Sequence, residues 1–156
     1  MRSGALDHEA LDGVMEARAS MLSEAARLAA ARRTDEQSVR LGEIAEAIAV
    51  AEAIAVAEAP DAATALDLAF FAELVEASGN LVFRLLMNSI REVYFAHADL
   101  FRAIVAGEGS PGALYAEAAR AVERGASTDA AAALRELVEG QAERLNDSLA
   151  AVATRG

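Results

Sequence analysis

Residues 67–94 read DLAFFAELVEASGNLVFRLLMNSIREVY, and this stretch decides the architecture of the chain. It holds two apolar segments of helical length, separated by the sequence ASGN at residues 77–80. Glycine accepts the left-handed backbone conformation that ends a helix, and asparagine caps the start of the next helix. The stretch therefore predicts a tight helical hairpin.

Helices are also predicted on both sides of the hairpin, because the chain is rich in alanine, leucine, glutamate and arginine and has only two prolines. Capping residues and a glycine-rich loop at residues 107–112 divide the sequence into segments. The predicted helices span residues 7–32, 34–58, 60–77, 81–105, 113–124 and 128–149, followed by a frayed tail. We expect one all-α domain over residues 1–156, an antiparallel bundle of about six to seven helices.

Composition excludes several classes of function. The chain has no cysteine, so disulfides and thiolate zinc sites are impossible, and its net charge of −11 opposes direct nucleic-acid binding. No apolar run is long enough to span a bilayer, and the start lacks the hydrophobic core of a signal peptide. No nucleophile–base pair or phosphate-binding loop is recognisable. We expect a cytoplasmic protein that is not an enzyme and does not contact membranes.

Two charged residues fall where apolar ones are expected. At 100° per residue, Asp67 lies in the middle of the apolar stripe that contains Phe71 and Leu74. Arg18 lies in the same way on the apolar face of the first helix, beside Leu22. A buried charge needs a partner. Arg18 and Asp67 either form a structural ion pair, or Arg18 binds the acidic or carbonyl head of a ligand that Asp67 orients.

The fourth predicted helix carries further candidates. His97 lines up with an apolar face, which fits either a hydrogen-bonded core residue or a ligand contact. Tyr94 and Phe101, seven residues apart, are placed to wall a cavity, although the same spacing fits ordinary core packing. The polar residues on the opposite side are interpreted as solvent-exposed and are left out of the site. They are Arg84, Asn88 and Arg91.

The hairpin resembles that of the C-terminal effector-binding, FCD-type domain of GntR-type transcription regulators, in the FadR branch. Members carry a pattern like Asp-x-x-Phe-His followed by Ala-Ser-Gly-Asn, and their first helix also has an inward arginine. The resemblance implies a sensor that binds an organic acid or acyl-coenzyme A-like effector within the bundle. It also implies pocket positions for Arg18, Tyr94 and Phe101, whereas Asp67 and Phe71 take the places of metal ligands.

The chain departs from the family pattern in two respects. Metal-binding members have histidines where this sequence has Phe71 and, further on, near Tyr115 and Gly140, so we expect no metal and no other cofactor. The family's N-terminal winged helix-turn-helix domain is absent from the sequence, so the chain is interpreted as a fragment or a free-standing sensor. DNA binding then belongs to a separate domain.

An alternative function is a helical interaction module without a ligand. The sequence AEAIAV at residues 45–50 recurs unchanged at residues 51–56. This repeat fits a local duplication in an alanine-rich helix, or a helix face for association. A homodimer is expected in either case, because symmetric dimers are the commonest protein assembly.

Overall fold

The computed structural model describes residues 8–54, 60–99, 102 and 112–155. The described residues form six α-helices and no strand, which confirms the all-α prediction. The helices are α1 (His8–Arg32), α2 (Asp35–Ile54), α3 (Pro60–Ser78), α4 (Leu81–Ala96), α5 (Gly112–Glu123) and α6 (Ser127–Ala153).

The predicted hairpin is formed by α3 and α4. Gly79 has a φ of 66°, the left-handed conformation that ends α3. Asn80 caps α4, because its side-chain oxygen accepts from the backbone N–H groups of Val82 at 3.0 Å and Phe83 at 3.2 Å. Arg32 at the end of α1 donates to the Ser78 carbonyl at 3.1 Å, which fixes the hairpin against the first helix.

The turn between α1 and α2 is fixed by a reciprocal cap. The backbone N–H of Gln37 donates to Thr34 Oγ1 at 3.1 Å, and the backbone N–H of Thr34 donates to Gln37 Oε1 at 2.9 Å. Both groups would otherwise be unsatisfied at the helix start. The predicted start of the second helix near Thr34 is therefore confirmed to within one residue.

Helix α1 lies at the centre of the bundle. It contacts α3, α4, α5 and α6, while α2 packs against α3 and α5. The main core contains large side chains such as Leu22, Leu74 and Leu137 set among many alanines. A smaller cluster forms around Leu11 and Leu145, where α4 approaches the bundle. Alanine allows helix backbones to approach closely. Large side chains are therefore needed at only a few core positions to fill the space between the helices.

Among the described elements, the backbone of helix α4 lies close only to α3 and α1, and the helix has apolar residues on two sides. Met87 and Tyr94 point into the bundle and are buried. Leu81 and Leu85 are 63% and 58% exposed, and Phe95 is 72% exposed. The face that His97 shares with Ile90 and Val93 is partly buried against the bundle.

Two predicted helix ends were wrong. The fourth helix ends at Ala96 with His97 as its C-cap, at φ −128° and ψ 43°, instead of continuing to residue 105. His97 and Asp99 are weak helix formers, but neither glycine nor proline marks the break. The last helix continues to Ala153 instead of fraying at residue 149, because alanine dominates its final turn.

The repeated segment lies largely within α2. Ala45 and Ile48 of the first copy are buried against the core, whereas Val50 is 50% exposed. The second copy begins 600° further around the helix, so equivalent residues face different directions. Residues 55–59, with the predicted end of this helix, lie outside the described part. Within the described ranges, no helix is long and apolar enough to cross a membrane.

Candidate functional site

Three helices each bring one polar or charged side chain to the same point in the core. Arg18 comes from α1, Asp67 from α3 and Gln141 from α6, and none is more than 2% exposed. Arg18 Nη2 donates to Gln141 Oε1 at 2.7 Å, and Gln141 Nε2 donates to Asp67 Oδ1 at 2.9 Å. Arg18 Nη2 lies 3.9 Å from Asp67 Oδ2. Gln141 thus bridges the two buried charges.

Two tyrosines complete this arrangement, which we call the polar cluster: Arg18, Asp67, Tyr94, Tyr115 and Gln141. The Tyr115 hydroxyl donates to Asp67 Oδ1 and accepts from Gln141 Nε2 at 3.0 Å. The Arg18 guanidinium carbon is 5.8 Å from the centroid of the Tyr94 ring. Because α1, α3, α4, α5 and α6 each contribute one member, the polar cluster joins five of the six described helices.

Aromatic rings enclose the charges. The Arg18 guanidinium carbon lies 4.7 Å from the centroid of the Phe71 ring, within the range of a cation–π interaction. Phe70 meets Tyr115 edge-to-face, with ring centroids 5.0 Å apart. A cation over a ring face is stabilised without a second carboxylate. Phe71 therefore contributes directly to holding the Arg18 charge in the core.

Burial shifts the pKa values within the polar cluster. Desolvation is the largest cause for both tyrosines and raises the pKa of Tyr94 and of Tyr115 well above the usual value of about 10. Burial also raises the pKa of Asp67, against the opposing effects of Arg18, Tyr115 and Gln141. For Arg18, burial lowers the pKa, but the neighbouring Tyr94, Asp67 and Tyr115 raise it overall. Arg18 therefore stays charged, and both tyrosines stay neutral, at neutral pH.

One nitrogen of the polar cluster has no hydrogen-bond acceptor. It is Nη1 of Arg18, which is buried with the rest of the side chain. A buried donor without an acceptor costs about 1–3 kcal/mol, and more when it is charged. A ligand oxygen that accepts a hydrogen bond from this nitrogen would therefore remove that cost.

A half-open groove of about 480 Å³ runs between α3 and α4. Most of its lining is apolar, with small alanines on the α3 side and aromatic rings on the α4 side. Tyr94 belongs both to this lining and to the polar cluster. The groove residues are Thr64, Ala65, Leu68, Ala69, Ala72, Arg91, Tyr94, Phe95, Ala98 and Arg102.

Of the two remaining predicted site residues, His97 lies at the end of α4. His97 is half-buried, and its backbone N–H donates to the Val93 carbonyl at 3.0 Å as the helix ends. Phe101 lies outside the described residues. The structure thus brings together Arg18, Asp67, Phe71 and Tyr94 of the six predicted residues.

The comparison with protein families identifies the chain. The profile of the FCD domain matches residues 13–140 of the 156 residues. The chain belongs to the FCD family. FCD is the C-terminal effector-binding domain of GntR-family regulators, and it is a regulatory family, not an enzyme family. The family prediction is confirmed, and no curated protein matches the chain.

Three side chains of the candidate site in this FCD domain were not predicted as site residues from the sequence. Tyr115 and Gln141 are polar groups on the apolar faces of α5 and α6, so the criterion that selected Asp67 would also have selected them. Arg91 was interpreted as exposed, but it is half-buried and lines the groove. The groove could not be predicted from helical periodicity, because its width depends on the distance between α4 and α3.

A metal ion does not fit the polar cluster of this FCD domain. The Asp67 carboxylate already accepts from Tyr115 and Gln141, and the Arg18 guanidinium lies 3.9 Å away and would repel a cation. Phe71 provides no ligand atom. No group of three or more histidine, aspartate or glutamate side chains in the described ranges could hold a metal.

Proposed function

We propose that this FCD domain senses an anionic organic effector, an organic acid or an acyl-coenzyme A-like thioester, and so controls DNA binding by a separate N-terminal domain in the cytoplasm. Membership of the FCD family supports the general role of a regulatory, effector-binding domain. The observation that carries the finer proposal is the buried Arg18 guanidinium, whose Nη1 lacks an acceptor. An effector is expected to change the contacts within the polar cluster. A ligand shifts a protein between two conformations only if it binds one of them more tightly than the other.

The polar cluster is suited to transmit such a bias. Its members come from five helices, so displacement of one side chain changes contacts on the other four. Arg18 anchors the cluster to α1, which lies at the centre of the bundle. We therefore assign Arg18 as the residue required for the response, with Asp67, Phe71 and Tyr94 as its immediate partners and His97 and Phe101 as outer candidates.

Thermal unfolding against a panel of organic acids, acyl-coenzyme A thioesters and divalent metals tests this proposal. A ligand at about 100 times its Kd should add about 2.7 kcal/mol to the free energy of unfolding. Arg18→Met should abolish the rise, whereas Arg27→Met should retain it, because Arg27 is an exposed arginine on the same helix paired with Glu24. Stabilisation by a metal alone, or by no compound in the panel, would contradict the proposal.

A second candidate function, association without a ligand, is favoured by the exposed apolar residues of α4. We propose a second copy of the chain as the partner. A two-fold axis at Asn88 would place two antiparallel α4 helices with Leu81 opposite Phe95 and Arg84 opposite Glu92, each twice. Arg84 pairs with Glu76 at 2.8 Å within the chain and would meet a second carboxylate across the interface, and isologous contacts close after two subunits.

Sedimentation velocity tests the dimer. Leu81→Glu should produce monomers, because it places a charge opposite Phe95 in each of two symmetry-related contacts. Val39→Glu is the matched control, since Val39 on α2 is 60% exposed and Leu81 is 63% exposed. Equal dissociation by both variants, or by neither, would reject α4 as the interface.

A further inference from the structure

We propose that the groove between α3 and α4 binds an amphipathic carboxylate of medium chain length, with its acid group on Arg91 and its alkyl chain along α3. This inference rests on the proposed function and specifies where and how the effector binds. It also gives a binding role to Arg91, which the sequence alone had placed on a solvent-exposed face.

The shape of the groove fits an unbranched alkyl chain. Ala65, Ala69 and Ala72 recur at helical spacing on α3, and their small side chains leave the space that the groove occupies. The rings of Tyr94 and Phe95 form the opposite side. A volume of about 480 Å³ lies within the usual range of small-molecule sites, about 300–1,000 Å³. Phe95 is 72% exposed, so a ligand would cover an aromatic ring that the protein leaves open.

The charges of the groove favour an anion. Its lining contains two arginines and no carboxylate among the described residues. Arg102 forms an ion pair with Asp99, so its charge is compensated. The Nε of Arg91 is buried and has no acceptor. A guanidinium can bind a carboxylate through two parallel hydrogen bonds, and Arg91 would thereby gain the acceptor that it lacks.

Tyr94 connects the groove with the polar cluster. Tyr94 lines the groove, and the centroid of its ring lies 5.8 Å from the Arg18 guanidinium carbon. An alkyl chain in the groove would press on Tyr94 and change its position relative to Arg18. Binding at Arg91 is thus coupled through Tyr94 to the polar cluster, so Arg18→Met should weaken octanoate binding as Arg91→Met does.

Isothermal titration calorimetry with straight-chain carboxylates from butanoate to decanoate tests the site. Affinity should rise about fourfold per added methylene until the groove is filled, and the heat-capacity change should be negative. Octanol should bind less tightly than octanoate because it lacks the charge. Arg91→Met should weaken octanoate at least about tenfold, the usual loss for a hydrogen bond to a charged group.

Two further variants make the assignment specific. Ala69→Phe fills the groove and should abolish octanoate binding while thermal unfolding shows that the domain is folded. Arg120→Met removes an exposed arginine from α5, which does not line the groove, and should leave the affinity unchanged. If octanoate binds but neither Arg91→Met nor Ala69→Phe weakens it, the groove is refuted while the proposed function stands. If neither the carboxylates nor the thioesters bind the unaltered chain, both proposals fail.

Discussion

Alkaline pH should unfold this domain through its two tyrosines. Tyr94 and Tyr115 are the only tyrosines in the chain and are 4% and 2% exposed. The sequence has no cysteine and no lysine, because all 14 basic residues are arginine. Arginine titrates above about pH 12, so the two phenols are the only side chains that release protons between about pH 9.5 and 11.5.

The sign of the effect follows from burial. The pKa of both hydroxyls is raised in the folded chain, whereas in the unfolded chain it is about 10. Above pH 10 the unfolded state has therefore lost protons that the folded state still holds, and the free energy of unfolding falls as pH rises. Each tyrosine contributes a slope of about −1.4 kcal/mol per pH unit, so the pair contributes about −3. A domain with about 5–15 kcal/mol of stability loses a large share of it within two pH units.

Urea unfolding at a series of pH values, followed by circular dichroism, measures this slope. Tyr94→Phe and Tyr115→Phe should each halve it, and the double variant should nearly remove it. Tyrosinate absorbance should appear together with unfolding. A slope that is unchanged in the single variants, or tyrosinate forming while the chain is still folded, would refute the argument that buried hydroxyls control alkaline stability.

Three further predictions concern the core and the helix ends. Arg18→Met should lower the free energy of unfolding by about 3–5 kcal/mol because it leaves Asp67 buried without its cation, and adding Asp67→Leu should restore most of the loss; chemical denaturation of both variants checks this, and a double variant less stable than Arg18→Met would contradict it. Gly79→Ala should cost about 1–2 kcal/mol because its φ is 66°, whereas Gly42→Ala, with no neighbour within 4 Å of the added carbon, should stabilise α2 by about 0.5–1 kcal/mol; equal melting temperatures would argue against this difference. Asn80→Ala should cost about 1 kcal/mol by removing the cap of α4, and Asn80→Ser should recover most of it; a silent alanine variant would show that the cap is dispensable.

Much of the helical framework could be predicted because its signals are local. Thr34 and Gln37 specify a cap within four residues, and Gly79 with Asn80 specifies both the end of α3 and the start of α4. These preferences depend on backbone conformation and on hydrogen bonds to near neighbours. The ends of α4 and α6 carried no such signal, and both were misplaced.

The candidate site was predicted in part for a related reason. Asp67 and Arg18 could be placed inward because each interrupts a long apolar stripe. Their bridging partner Gln141 is 123 residues from Arg18 in sequence, and only the packing of α1 on α6 brings the two together. Arg91 could not be placed correctly in this way. It lies on the polar face of its own helix, and only the neighbouring α3 makes it half-buried.

The sequence by itself determined the helices, the hairpin, the family resemblance and the presence of two inward charges, because all of these depend on local propensity and helical periodicity. Only the tertiary structure decided which side chains share the polar cluster and that a groove separates α3 from α4. Helix packing sets those distances. Alanine-rich faces permit several spacings between helices, so the spacing is fixed by the few large and polar side chains that meet across them.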